Sequence, residues 1–407
     1  QMLWEFTNED DTYPLDDTGS PLLSSGAQRV DVAGNPVKDL GLTIDEPILA
    51  LSNVVTSSSD ENLEWIALVS NGTNGTSGVA KLFALFVDRG TDGTWCHPES
   101  IYDNSTDGSS GLRGTCDAGQ YDFIKIDTGE GAFLDGSGIY PNGLGSPRAI
   151  DADQDGTADY VYAGDMQGNL FRFDLCRADL ASYDDYDTGA AVKPANMNSA
   201  LEYTGGDGSC KKGVDVYKNW VSTKIFEASY TSANGTTTSQ PILNKPVLVA
   251  SPTGAGYIVI VGTGRYNVNG DRSDTDIQSI YGIWDRLGSD VVTKSKLIQQ
   301  SYTNICESDA SSCGRSLSDC PVNLGAAFDA SEESTSTCPQ SQDVDGVLGW
   351  FNDLNVAQDS TGTIPASPGE RAVRNFQIRG GLGFVNSVIP TISNACSASA
   401  GGFGLGF

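Results

Sequence analysis

Short apolar runs separated by Gly, Asn and Asp recur along this chain, and they come in pairs. The first run of a pair ends in small residues, and the second finishes on an aromatic or apolar residue followed by Asp. Three pairs show it: Trp65-Ile-Ala-Leu-Val-Ser70 with Leu82-Phe-Ala-Leu-Phe-Val-Asp88, Tyr160-Val-Tyr-Ala-Gly164 with Asn169-Leu-Phe-Arg-Phe-Asp174, and Tyr257-Ile-Val-Ile-Val-Gly262 with Ser279-Ile-Tyr-Gly-Ile-Trp-Asp285. Alternation at period two, with turn residues between the runs, predicts antiparallel hairpins. Hairpins recurring at uneven intervals over 407 residues predict an all-β chain, a modified β-propeller of about five to seven blades. Radial sheets let a long chain fold without one enormous core. The extra length falls near residues 90–120, 176–220 and 290–345, which hold most of the cysteines. Leu3-Trp4-Glu5-Phe6 reads as a second hairpin strand lacking its first, and 401–407 as a closing strand. Either one completes the other, or both are cut edges of a longer protein.

Composition narrows the function classes. The chain has 24 Lys+Arg against 53 Asp+Glu and a formal charge of -29, which argues against nucleic acid and anionic lipid and favours cations. Hydrophobic content of 38% with 48 Gly suits a turn-rich β protein. No run of apolar residues is long enough for a membrane-spanning helix. The chain starts at Gln1 with no charged-plus-apolar leader, so a mature or fragmentary form is expected.

The most informative segment is Asp151-Ala-Asp153-Gln-Asp155-Gly156-Thr157-Ala-Asp159. Oxygen-bearing side chains stand at every second position around one glycine. In an EF-hand loop, positions 1, 3, 5, 7 and 9 supply oxygen ligands, position 7 through its carbonyl, and Gly at 6 makes the turn. Asp151, Asp153, Asp155, Thr157 and Asp159 fall on those positions, so they are the expected Ca²⁺ ligands. Position 12 is Tyr162 rather than Glu, inside a β-rich run. The expectation is therefore a calcium loop without the EF-hand helices, against the alternative of an acidic surface turn that binds nothing. A second oxygen-rich stretch, Asn267-Val-Asn269-Gly270-Asp271-Arg-Ser-Asp274-Thr-Asp276, has irregular spacing interrupted by Arg272. It reads as a solvated loop or a weaker metal site. Asp343-Val-Asp345-Gly346 reads as a turn.

The chain has nine cysteines, no tight CxxC pair and one histidine, His97, a pattern that disfavours zinc and favours disulfides in an oxidising compartment. Local spacing suggests Cys96 with Cys116, Cys176 with Cys210, Cys306 with Cys313 and Cys320 with Cys338, the last four being permutable. Cys396 remains over, either buried as a thiol or paired beyond this sequence. Asn71, Asn74, Asn104 and Asn234 begin N-x-Ser/Thr sequons.

The string from Ser146-Pro-Arg-Ala-Ile-Asp151 through Asp165-Met-Gln-Gly-Asn169 to Asp174-Leu resembles the calcium-loop blade of PilY-type type IV pilus adhesins. Leu3 to Thr7, Trp65 to Gly72, Lys245-Pro246-Val247, Gly262-Thr263-Gly264-Arg265-Tyr266, Gln278 to Asp285, Gly349-Trp350-Phe351 and Gly369-Glu370-Arg371 resemble the same family's C-terminal domain, in order. The resemblance implies that 1–407 is a single C-terminal propeller domain of a longer pilus-associated protein. It implies Ca²⁺ held by Asp151, Asp153, Asp155, Asp159 and the Thr157 carbonyl. It also implies export through the periplasm to the pilus tip or cell surface, minor pilins and other tip components as partners, adhesion to a host or abiotic surface, and no catalysis. The family's large N-terminal region has no counterpart in these residues. Gly270-Asp271-Arg272 has the wrong order for an integrin-binding motif.

Two other classes share the architecture. A pyrroloquinoline quinone dehydrogenase would commonly carry adjacent cysteines, and none are adjacent here. An integrin-like or lectin-like propeller repeats its calcium loop in several blades, and one full copy is present. A Ser/His/Asp triad would have to use His97, beside Cys96. Trp65, Phe171, Phe173, Tyr281 and Trp284 read as inter-strand packing or, alternatively, as an adhesive face.

Overall fold

The computed structural model of the chain describes residues 5–7, 11, 38–43, 46–57, 60–92, 95–96, 121–131, 142–176, 212–214, 216–267, 269–306, 313–317, 320, 322, 324, 346–354, 369–379, 382–390 and 404–406. Of these, residues up to Asp165, with 171–176 and 212–223, make one compact unit, and 166–170 with the residues from Lys224 onward make another.

In the first unit β1 (Ile48–Ser57), β2 (Asp60–Ser70), β3 (Val79–Phe86) and β4 (Phe123–Gly131) form a sheet in chain order. All three pairings are antiparallel, with Leu51 opposite Trp65, Leu68 opposite Ala84 and Leu85 opposite Phe123. The sequence of β3 is nearly all apolar because both of its faces are covered. Leu82, Ala84 and Phe86 join a core with Ile66, Leu68, Val161 and Phe173. Phe83 and Leu85 point the other way, into a cluster with Ala67, Trp95 and Phe123 against which Phe6 packs. Phe6 meets Trp95 and Phe123 edge-on at 5.1 and 5.0 Å, and Trp95 Nε1 donates to the Glu5 carbonyl at 2.8 Å.

The next sheet runs β5 (Arg148–Ile150), β6 (Tyr160–Gly164), β7 (Asn169–Asp174) and β8 (Val221–Glu227), again in chain order. Ile150 pairs with Tyr160 and Arg148 with Tyr162. Residues 151–159 are therefore the loop of a hairpin, and its flanking strand β6 is buried along its whole length.

In the second unit β9 (Ser229–Thr231) and β10 (Thr237–Ser239) make a hairpin around Asn234-Gly235. The strands that follow are β11 (Val247–Ala250), β12 (Tyr257–Gly262), β13 (Ser279–Asp285), β14 (Ile298–Gln300), β15 (Tyr302–Cys306), β16 (Cys313–Leu317) and β17 (Gly349–Asp353). Five of them form a sheet in the order β11-β12-β13-β17-β14, with β14 parallel to β17, and β15 and β16 form a separate hairpin. Gly282 lies opposite Trp350, and a Cβ at 282 would stand 2.4 Å from the indole Nε1. Glycine is required there by the ring that covers it. Finally β18 (Gln377–Arg379), β19 (Leu382–Asn386) and β20 (Gly404–Gly406) form a three-stranded sheet.

The paired runs expected from the sequence are β2 with β3, β6 with β7, and β12 with β13, each neighbours in a sheet. Among the described residues β20 pairs with β19, and Phe6 packs on the β3/β4 face by its side chain; Leu3, Trp4, 401–403 and Phe407 lie outside the described residues. Of the five aromatic residues singled out, Phe171, Phe173, Tyr281 and Trp284 are buried, and Trp65 is 45% exposed. Cys96, Cys176 and Cys320 are each in a disulfide, and Cys306 stands opposite Cys313 in register. Cys116, Cys210, Cys338, Cys396 and His97 lie outside the described residues. Asn71 is a buried hub whose side chain bonds Asp39, Val79, Lys81 and Leu144 backbone groups, which leaves it unsuited to glycosylation.

Candidate metal centre

Loop 151–159 is wound by its own backbone. The amide of Asp159 donates to the Ile150 carbonyl at 2.9 Å and closes the hairpin. Gln154 and Gly156 adopt φ of 66° and 94°. At Gly156 nothing crowds a Cβ position, so glycine is favoured there by the left-handed backbone alone. The aspartates accept from loop amides: Gly156 to Asp151 Oδ2 at 2.9 Å, Asp155 to Asp153 Oδ1 at 3.0 Å, and Ala152 and Asp153 to Asp159 Oδ2 at 2.5 and 3.2 Å. Winding turns the acids inward. One carboxylate oxygen each from Asp151, Asp153 and Asp159 lies within 4.8 Å of the others.

Asp155 is placed differently from its three companions. Its Oδ1 accepts from the Thr157 amide and hydroxyl at 2.8 and 2.7 Å, and its Oδ2 lies 3.3 Å from Lys212 Nζ. Burial works against the charged form, but the Thr157 hydrogen bonds and the Lys212 ammonium hold its carboxyl below the usual range. Thr157 is wholly buried, and its neighbour Ala158 donates to the Leu51 carbonyl at 2.9 Å, which pins the end of the loop to β1. The structure thus gathers Asp151, Asp153 and Asp159 and engages Asp155 with Thr157 and Lys212. Lys212 carries no local sequence signal, since it reaches the loop from the far end of a long insertion.

Asp159 is the electrostatic focus. Burial pushes its carboxyl up to about 7, opposed by the Ala152 and Asp153 amides and reinforced by the Asp153 and Asp151 charges. A buried carboxyl such as Asp159 that resists ionisation beside two further acids is one that a divalent cation would stabilise in its charged form. The donor set is hard oxygen with no sulfur or nitrogen, which fits Ca²⁺ or Mg²⁺ rather than a soft metal.

This predicts a pH dependence. The folded chain holds a proton on Asp159 from the unfolded value near 3.8 up to about 7, so metal-free stability should fall as pH rises through that window. Metal binding must displace that proton. Apparent affinity should therefore rise about tenfold per pH unit below 7 and level off above it. Titration calorimetry in buffers of different ionisation enthalpy measures the proton released. A pH-independent affinity between 5 and 7 would remove Asp159 from the site.

The oxygen-rich stretch 267–276 is organised otherwise. Asp271 accepts from Arg265 Nε at 2.8 Å and from the Asn267 amide at 2.9 Å, and Asp274 pairs with Arg371. Arginine supplies the positive charge there. Among the described residues the one acidic group with metal-binding proximity is 151/153/159.

A family model described as the PilY1 beta-propeller domain matches residues 122–306, a span that contains the acidic loop and both flanking strands. The chain is 26% identical to the C-terminal domain of Pseudomonas aeruginosa PilY1 in its crystal structure, with a TM-score of 0.55 over 90% of this chain and 59% of that one. The chain is a PilY-type protein. Its fold is accordingly a β-propeller of the PilY1 kind. The type IV pilus biogenesis factor PilY1 of P. aeruginosa is 38% identical over 195 residues, 45% of this chain and 15% of that protein. A PilY1 homolog of Xylella fastidiosa is 24% identical over 364 residues, 88% of this chain and 18% of that protein. This PilY-type chain spans less than a fifth of the length of those relatives.

Proposed function

We propose that this chain is the calcium-binding propeller of a type IV pilus biogenesis factor and adhesin. It acts at the pilus tip or bacterial surface after export through the periplasm, in contact with minor pilins. The observation that carries the reading is the convergence of Asp151, Asp153 and Asp159 within 4.8 Å, in a hairpin loop inside the span matched to the PilY1 propeller. The relatives' names supply the pilus context.

Asp151, Asp153 and Asp159, with the Thr157 carbonyl, would hold Ca²⁺, and Asp155 would add charge. The ion supplies neutralisation and ordering. Loop amides already orient the carboxylates, so the metal cancels their mutual repulsion and fixes the β5–β6 connection. A rigid loop in the calcium-bound state and a looser one without it give the pilus a two-state element through which Ca²⁺ modulates assembly and retraction. The surface or receptor that the adhesin meets is set by other residues. The donors gathered at the site are carboxylate oxygens, and the chemistry proposed for it is cation binding.

The test is genetic and biochemical. In cells, Asp153→Ala with Asp159→Ala in the full-length protein should change the number of surface pili or their retraction while protein level is maintained. Unchanged piliation and twitching, alongside lost calcium binding in vitro, would separate the metal from pilus function and overturn the reading.

A further inference from the structure

Beneath the first sheet's outer face lies a group of buried charges that the metal site does not use. Asp11 and Asp39 are wholly buried and Lys125 is 4% exposed. Asp11 Oδ2 accepts two backbone amides, from Asp39 at 2.6 Å and Leu40 at 2.7 Å. Lys125 Nζ donates to Asp39 Oδ2 at 3.0 Å. The same Nζ stands 2.5 Å from Asp11 Oδ1, yet that oxygen receives no hydrogen bond. The amine is thus pressed against the Asp11 carboxyl. The Phe83 and Phe123 rings lie 5.6 and 5.9 Å from Nζ and help to wall the group from solvent. Lys81 lies 3.5 Å from Asp39 and 2.9 Å from Asp127, and so keeps Asp39 compensated if Lys125 loses its charge.

We propose that the folded chain forms an intramolecular isopeptide bond between Lys125 Nζ and Asp11 Cγ, with Asp39 transferring the protons. One proton of the Lys125 ammonium passes through Asp39 to Asp11 Oδ1, leaving a neutral amine beside a neutral acid. The Nζ lone pair then bonds to Cγ. The charge that develops on Oδ2 is met by the Asp39 and Leu40 amides, which are placed as an oxyanion hole. Asp39 takes a second proton from Nζ and delivers it to the Oδ1 hydroxyl, the Cγ–Oδ1 bond breaks, and water leaves. The amide keeps the third proton, and no oxidant or cofactor enters the balance.

Two physical arguments favour the step. Fixing amine and carboxyl in contact replaces a bimolecular condensation with an intramolecular one, for which effective concentrations reach about 10⁵ M or more. The reaction also converts a buried ion pair, which carries a large desolvation cost, into a neutral amide. The product straps the segment that bears Asp11 to β4, the edge strand of the sheet. Such a strap suits a surface protein under mechanical load.

Intact-mass measurement of the 407-residue chain, folded and then fully reduced and denatured, decides the matter. The expected mass is lower than the sequence mass by one water, and digestion should give one branched peptide that joins the Asp11 and Lys125 fragments. Lys125→Arg and Asp39→Asn should each restore the full sequence mass with the circular dichroism spectrum unchanged. A wild-type chain that keeps its full mass after prolonged incubation at neutral pH overturns the proposal, as does a water loss that maps to any other pair. A bond that still forms in Asp39→Asn removes Asp39 from the mechanism.

Discussion

Asp159→Ala should abolish the calcium-dependent rise in stability of this propeller. At a hundredfold excess of Ca²⁺ over the dissociation constant the wild-type chain should gain about 2.7 kcal/mol, and the variant should gain almost nothing. Asp159 contributes in two ways. One oxygen holds the Ala152 and Asp153 amides and so sets the loop's first turn, and the carboxylate takes part in the three-acid cluster. Its removal takes a ligand and the loop's internal anchor together, so apparent affinity should fall by about two orders of magnitude or more, since such affinities depend on ligand charge and rigidity. Metal-free stability should change much less. Two lost loop hydrogen bonds cost about 1 kcal/mol each, while relief of repulsion among Asp151, Asp153 and Asp159 works the other way. Asp155→Ala is the informative control, because its oxygens sit on Thr157 and Lys212, and it should weaken calcium less than Asp159→Ala. Mg²⁺ should substitute poorly, since it needs a smaller octahedral shell and dehydrates reluctantly. Thermal unfolding of both variants with Ca²⁺, Mg²⁺ and chelator gives the comparison. A calcium response retained by Asp159→Ala would move the metal elsewhere.

The convergence of Asp151, Asp153 and Asp159 is legible in the sequence because aspartates at alternate positions around a glycine at the sharp turn form a local pattern. No contact outside 151–159 is needed to see it. The hairpins were readable for the same reason, as each is a short-range pattern. What escaped was the long-range part. Lys212 meets Asp155 across an insertion with no pattern of its own. Phe6 plugs an aromatic cluster of Phe83, Trp95 and Phe123 by side-chain packing, a contact that period-two alternation cannot predict. The stretch 267–276 is solvated over most of its described length, as the sequence suggests, but the pairing of Asp271 with Arg265 and of Asp274 with the sequence-distant Arg371 is not legible there. Asp11, Asp39 and Lys125 carried no signal at all, because isolated charges in sequence look like surface until packing removes the water.

Arg371→Ala should be the more damaging substitution for the second unit, costing about 3–5 kcal/mol, the usual range for breaking a buried charge network. Arg371 is wholly buried, and its guanidinium is a three-way clamp. Nε donates to the Gly369 carbonyl at 2.8 Å, one terminal nitrogen to the Arg265 carbonyl at 2.8 Å, and the other to the Asp274 carbonyl at 2.5 Å. These carbonyls belong to two separate stretches of chain, so one side chain fixes the Gly369 turn against 265–274. Burial lowers its pKa, opposed by the charges of Asp274 and Asp271. Alanine would leave the three carbonyls without that donor, and a buried polar group left unsatisfied costs about 1–3 kcal/mol. Arg371→Lys should recover little, because a single ammonium on a flexible stem lacks the planar fork that spans all three acceptors. Arg265→Ala should cost less, since that side chain is 38% exposed. The Gly-Thr-Gly-Arg-Tyr and Gly-Glu-Arg strings, noticed in sequence only as family resemblance, thus acquire one physical reason: the second supplies the arginine that holds the first. Urea unfolding of the three variants, followed by tryptophan fluorescence, should rank them in that order, with Arg371→Ala lowest. An Arg371→Ala chain within 1 kcal/mol of wild type, an effect of about the size of one net hydrogen bond, would show that the clamp is dispensable and that the motif has another role.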